Sequence, residues 1–202
     1  MSENTESGCA HDDDTSGAGR VVSWRARSVG LAPVDVDDAE LLHRWRADPT
    51  ALYEIGIWPR SLTAMRERIE RNNDNDDQDD FLVLLPDGTP VGHAALTHQS
   101  MVNGTAEVEL MLAPEHRRNG YGVAALDALV DLAFGELPMH RLVAETHAEN
   151  AAALAVLGRS GFVREGTSRS ACLHRGRRLD IAVCSLLRAE WEALDRPRAW
   201  ED

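Results

Sequence analysis

The sequence predicts a single α/β (α+β) domain of about seven strands and four helices. Three observations lead there. Strand-like and helix-like segments follow one another in the order β-α-α-β-β-β-α-β-α-β-β between Val29 and Leu187. A hairpin pattern stands in the middle, Phe81–Leu85 and Val91–Leu96 around the turn residues Pro86-Asp87-Gly88. A strand, a glycine-rich turn and a long amphipathic helix then occupy residues 107–134.

The elements are justified in chain order. Residues 1–20 are rich in Ser, Gly, Asp and Glu without a periodic apolar face, so they are expected to be a disordered acidic tail before a domain spanning 21–202. A first strand lies near Val29–Leu31. Asp35 to Ala47 reads as a helix with Leu41, Leu42 and Trp45 on one face and Pro49 as its stop. Ser61 is placed to cap a second helix carrying Leu62, Met65 and Ile69. Asn72 to Asp80 is a polar loop. It offers calcium-type ligands, but a calcium-binding loop needs glycine at its sixth position and Asp79 would stand there. After the hairpin come strand 107–112, helix 120–134, strand 141–146, helix 150–160, and strands 162–173 and 179–187.

The turn Arg117-Arg118-Asn119-Gly120-Tyr121-Gly122 carries the chemistry. It joins strand Glu107–Leu112 to a helix with apolar residues at Val123, Leu126, Leu129, Val130, Ala133 and Phe134. The first N–H groups of a helix lack partners and the macrodipole is positive there, so such a turn binds phosphate. Glycines let the backbone approach a pyrophosphate closely, and an arginine at the mouth adds charge. Two patterns fit. Gly120-x-Gly122-x-x-Ala125 with Glu145 downstream fits a dinucleotide fingerprint, but that motif wants its glycines directly after the strand, and here Ala113 to Asn119 intervene. Arg117-x-x-Gly120-x-Gly122 instead resembles the acetyl-CoA pyrophosphate loop of the GNAT acetyltransferase superfamily. The downstream Asn150-x-x-Ala153-x-x-x-Leu157-x-x-x-Gly161-Phe162 resembles that family's next motif.

The resemblance covers residues 29 to 192. Phe162 to Gly166, His174-Arg175-Gly176, Asp180 and Glu190-Trp191, with the early Leu31-Ala-Pro33 and Asp38 to Trp45, look most like the branch of ribosomal-protein-alanine and polyamine N-acetyltransferases. It implies a mixed, mostly antiparallel sheet with helices on both faces. It also implies acetyl-CoA as co-substrate and transfer of its acetyl group to a primary amine: a protein N-terminus, a polyamine, or an amine-bearing antibiotic or metabolite. By the same resemblance residues 117–122 hold the pyrophosphate, and Asn150 opens its helix beside the CoA arm. The backbone of Leu110 and Leu112 pairs with the pantetheine, and an N–H near Leu110 or Met111 polarises the thioester carbonyl. The loop Tyr53 to Pro59 would line the acceptor side.

Direct attack by an amine requires a base but no enzyme nucleophile. Glu107 and Glu109, two apart and so on one side of a regular strand, are the candidate bases; His93, His98 and His147 are rivals. Alternation with Val108, Leu110 and Leu112 equally allows a solvent-facing pair, unless a bulge in this strand turns one of them. The family's general-acid tyrosine is replaced by Leu157, and the serine of the ribosomal-protein branch by Ala153. Thiolate protonation is then left to water or Ser160. These departures keep a second function class open, a catalytically silent acyl-CoA-binding sensor or interaction module.

Composition bounds the rest. A net charge of −13 argues against nucleic acid. It suits cationic amines, and equally it suits plain solubility. No apolar run is long enough for a membrane span and the start is acidic, so the expectation is a cytoplasmic protein without a membrane partner. Cys9, Cys172 and Cys184 have no metal-ligand spacing and are expected as free thiols, with Cys172 and Cys184 near each other across the final hairpin. No metal is expected; a homodimer is left open.

Overall fold

One sheet organises the molecule. The structure, a computed structural model, describes residues 20–26, 28–49 and 60–201. The expectations for the rest of the tail, for Cys9 and for Tyr53–Pro59 lie outside the described residues. The strands are β1 (Trp24–Arg25), β2 (Gly30–Pro33), β3 (Asp79–Leu84), β4 (Pro90–Ser100), β5 (Thr105–Leu112), β6 (Arg141–His147), β7 (Val163–His174) and β8 (Arg177–Leu187). The helices among the described residues are α1 (Ala39–Arg46), α2 (Leu62–Asn73), α3 (Tyr121–Gly135), α4 (Ala151–Arg159) and the short α5 (Arg188–Glu192). The strands lie in the order β1-β2-β3-β4-β5-β6-β8-β7, and among the described residues the β5–β6 pair alone is parallel. The seven expected strands are present, and two-residue β1, too short for a periodicity to announce it, makes an eighth.

Strand alternation divides the apolar residues between two cores. Phe81, Val83, Ala94, Leu96 and Val108 face α3 and α4, while Leu82, Leu84 and Met111 face α1 and α2. Helix α3 is apolar nearly all round and accordingly runs through the larger core, with Ala125, Leu129, Val130 and Ala133 sealed from solvent. Cutting Leu129 back to alanine would cost about 3 kcal/mol. Helix α2 starts where its cap stands: Ser61 Oγ accepts from the Ala64 N–H at 3.2 Å. The expected helix from Asp35 opens as a 3₁₀ turn, Val36–Asp38, because Asp38 folds back to accept from the Asp35 N–H at 2.8 Å.

Two clamps close the domain. The bidentate Arg141–Glu165 pair (2.7 and 2.5 Å), with Ser185 Oγ donating to the same carboxylate at 2.7 Å, ties β6, β7 and β8 together. At the C-terminus, Asp131 of α3 is 1% exposed and accepts from Trp191 Nε1, both Arg196 terminal nitrogens and the Ala199 N–H, all between 2.7 and 2.9 Å. The last residues are thereby strapped across α3. The cysteines do not meet: Cys172 lies opposite Leu179 and Cys184 opposite Arg164, since two register shifts in β7 slide the strands past each other. Among the described residues both are free.

The tail is not wholly outside the fold. Arg20 grips the buried Asp38 with both terminal nitrogens, and this pair also steadies the turn that starts α1. Arg20, the last residue of the expected tail, thus contacts the domain expected to span 21–202. Removing residues 1–19 is predicted to leave the melting temperature unchanged, whereas Arg20→Ala should cost about 1 kcal/mol, because a partly exposed charge pair is lost while Asp38 stays buried. Urea unfolding of the two variants checks this.

Candidate active site

The site is built where β5 parts from β6. The two strands pair only through Thr105–Glu107 and Arg141–Val143. Beyond that, β5 follows β4 to Leu112 and β6 follows β8 to His147. A bulge stands at the branch point, with Thr97 opposite Glu107 but Ser100 opposite Thr105. The expected bulge is thus in β4 rather than β5. His98, at a φ of 50°, absorbs it, and its extra twist turns the paired strands away from β6.

Register dictates which backbone groups line the gap. The Ala113 N–H donates to the Val91 carbonyl at 2.9 Å. Alternate residues of an antiparallel strand turn both polar groups the same way, so Glu107, Glu109 and Met111 bond to β4, while Val108, Leu110 and Leu112 point theirs into the gap. Arg117 Nε, reaching the Leu112 carbonyl at 3.3 Å, lies on that side. Across the gap, Ala148 N–H bonds to the Asp180 carbonyl of the β8 side, so Glu145 and His147 turn their backbone inward. Leu110 and Leu112 thus turn their backbone groups into the gap, whereas the Met111 N–H is directed at β4.

The turn after β5 ends in the geometry the glycines allow. Arg118 and Gly120 have φ of 67° and 84°, and Gly120 caps α3 with nothing within 4 Å of where a Cβ would stand. Among the described residues, the amides of Arg118, Asn119, Gly120, Tyr121 and Gly122 donate to no acceptor, while Asn119 Nδ2 braces the turn on the His116 carbonyl. The partly buried Tyr121 ring packs on the core around α3. Gly122 is buried and lies against Leu112 and Val156, which brings α4 up to the turn. Asn150 caps α4, its Oδ1 accepting from the Ala153 N–H at 3.0 Å. A cleft of about 280 Å³ continues from Gly120 along α3 past Asp127 to Arg196.

On the other face of the sheet, beside α1 and α2, are the titratable groups. Glu107 and Glu109 do share a side. Glu107 is exposed and ion-paired to the exposed His98 at 3.3 Å, whereas Glu109 is half-buried. His93, directly across from Met111, is buried with Nε2 at 2.7 Å from Asp80 Oδ1. Asp80 Oδ2 accepts from Asn72 at 2.8 Å and Gln78 at 2.7 Å. Burial would raise the Asp80 pKa, but His93 and the two amides outweigh it and hold the carboxyl at about 2. With Asp80 ionised, His93 Nε2 is the donor, a pairing that spacing in the sequence did not reveal. His147 is buried at the end of β6, 3.5 Å from Cys172 Sγ; burial first, then His174, hold it below the ordinary histidine value. Leu157 is in the core, and Ser160 is sealed beside Asp127, so neither reaches the gap. Among the described residues no group of three His, Cys, Asp or Glu side chains could hold a metal.

A family model described as an acetyltransferase (GNAT) domain matches residues 28–163. An uncharacterized N-acetyltransferase, p20, of Bacillus licheniformis is 26% identical over 166 residues, covering 80% of this chain and 93% of its own length. The spermidine N(1)-acetyltransferase of Vibrio cholerae is 25% identical over 101 residues, half of this chain and 58% of that protein. Among solved structures, a spermidine N-acetyltransferase from Vibrio cholerae in complex with CoA and spermine superposes with a TM-score of 0.79 at 20% identity, over 82% of this chain and 98% of that one. A GNAT-family acetyltransferase from Bacillus anthracis gives 0.73 at 22%, over the same shares. These likenesses establish a common fold.

The Asp80–His93 pair has a pH signature. A carboxyl lowered from 3.8 to about 2 by folding contributes stability that is complete above its unfolded value and disappears as pH falls through the folded one. The stability advantage of the native chain over Asp80→Asn is therefore predicted to shrink by about 2 kcal/mol between pH 6 and pH 2. Urea unfolding at stepped pH measures it; a difference independent of pH contradicts the assignment.

Proposed function

This chain belongs to the GNAT acetyltransferase family and is an N-acetyltransferase, and from that premise we propose that it passes the acetyl group of acetyl-CoA directly to a primary amine within a ternary complex. The observation that carries the reading is the β5–β6 gap opening beside a turn of undirected amides. The amides of residues 118–122 at the α3 N-terminus hold the pyrophosphate, with Arg117 anchored at the strand end and Asn150 flanking the CoA arm. Leu110 and Leu112 offer the pantetheine a strand edge, and the Leu110 N–H polarises the thioester carbonyl.

The amine approaches from the α1–α2 side. Glu109, half-buried there and without an ion pair among the described residues, takes the ammonium proton directly or through water; Glu107, engaged by His98, is the poorer candidate. The N–C bond forms as the C–S bond breaks, and the departing thiolate is protonated by water, since Leu157, Ala153 and Ser160 supply no acid. The relatives named as spermidine acetyltransferases support an amine acceptor as a class. CoA release against peptides, polyamines, aminoglycosides and amino acids tests the reading. Release with at least one amine supports it, while tight acetyl-CoA binding with no release from any amine favours a silent acyl-CoA module.

Two substitutions test the parts. Gly120→Val places a branched side chain at a positive φ in the mouth of the turn, and is predicted to weaken acetyl-CoA binding at least about tenfold in calorimetry. Glu109→Gln is predicted to lower kcat about a hundredfold or more with acetyl-CoA affinity intact, and to remove the acidic limb of the pH–rate profile. A variant of near-normal kcat would move the base elsewhere.

A further inference from the structure

Arg46 ends α1 with its guanidinium turned indoors. The residue is 8% exposed, and neither Nε nor Nη1 has a hydrogen-bond partner. No carboxylate among the described residues comes within 4.0 Å of it. Burial, and after it the neighbouring Arg68 of α2, push its pKa below the ordinary arginine value, while Glu109 of β5 and Asp80 of β3 oppose them. A buried cation without a partner is costly and rarely kept without a use. Neither nearby carboxylate supplies the missing contact: the Asp80 oxygens are taken by His93, Asn72 and Gln78, and Glu109 is in electrostatic reach but unpaired with it.

On one face of the sheet the chain sets a carboxylate, Glu109, and the Arg46 guanidinium, which no carboxylate among the described residues pairs with. Together they complement a zwitterion, the ammonium toward Glu109 and an anionic group toward Arg46. A polyamine would bring a second ammonium up to the buried guanidinium in a place with little water to screen it. We propose that Arg46 is the receptor for a carboxylate carried by the acceptor, so that the acceptor is an amino acid or a short peptide with its carboxylate near the amine, rather than a polyamine. The proposal rests on reading the Glu109 face as the acceptor side. Arg46 acts in recognition and takes no proton.

The test reads binding as well as turnover. With CoA present, N-acetyl-alanine and N-acetyl-alaninamide differ only in the charge at issue. The native enzyme is expected to bind the carboxylate form at least about 30-fold more tightly than the amide in calorimetry. Arg46→Met should erase the preference without lowering the melting temperature, because an apolar chain of similar length replaces an unpaired charge. Arg46→Lys should keep part of it. In turnover, alanine should outcompete alaninamide and spermidine through KM. Equal binding of the two probes by the native enzyme overturns the proposal, and needs no variant. So does an undiminished preference in a folded Arg46→Met, or spermidine as the better acceptor. A preserved carboxylate preference with no CoA release from any amine would instead overturn acetyl transfer and leave the anion subsite standing.

Discussion

Everything at this site depends on a failure of pairing. Parallel strands β5 and β6 hold together for three residues and then diverge, leaving the inward backbone groups of Val108, Leu110 and Leu112 unbonded to β6. A strand edge opened inside a sheet is unfavourable, because its polar groups lose ladder partners. It survives here because each branch is anchored on its own side. β5 stays zipped to β4 and packed between two cores, and β6 stays zipped to β8, with Arg141, Glu165 and Ser185 bracing that branch. The bulge at His98 sits at the level where the strands part. The turn at Arg117–Gly122 is the outlet of the same gap, since Gly122 lies against Leu112 at the end of β5.

Much of this was legible because it is local. Period-two alternation put Glu107 and Glu109 opposite Val108 and Leu110. Gly120 and Gly122 marked the helix start within a residue, and Asn150 and Ser61 cap the helices they were expected to cap. What stayed hidden depends on partners distant in sequence. Nothing near His93 announces Asp80 as its partner, because the pairing is made by strand register. The bulge uses His98 at positive φ rather than a glycine, and so leaves no compositional mark. The division between exposed Glu107 and half-buried Glu109 is likewise not a matter of alternation, which treats them alike. Arg20 looked like the end of a tail, and only the three-dimensional position of Asp38 gives it a partner.

The two sheet faces divide the labour. The α3–α4 face supplies helix termini, backbone amides and small residues, the surface that the proposed function gives to phosphate and an extended arm. The α1–α2 face supplies side chains that titrate or carry charge: Glu109, the Asp80–His93 pair and Arg46. A co-substrate common to a whole family can be met by backbone, which substitution barely alters. An acceptor that differs between members has to be met by side chains, and under the proposed function it is on this second face that a chain only 26% identical to its relative over most of its length is free to differ.

The strap at Asp131 also imposes an order on how the chain comes off the ribosome. Asp131 lies in the middle of the central helix, yet its partners Trp191, Arg196 and Ala199 are sixty to sixty-eight residues farther along. Until those residues have left the exit tunnel, α3 cannot settle without either burying a bare carboxylate or keeping that side of the helix open to water. The nascent chain is therefore held short of its final packing until that later stretch is free to fold back, and a polypeptide ending before Trp191 would leave its central helix without a counter-ion.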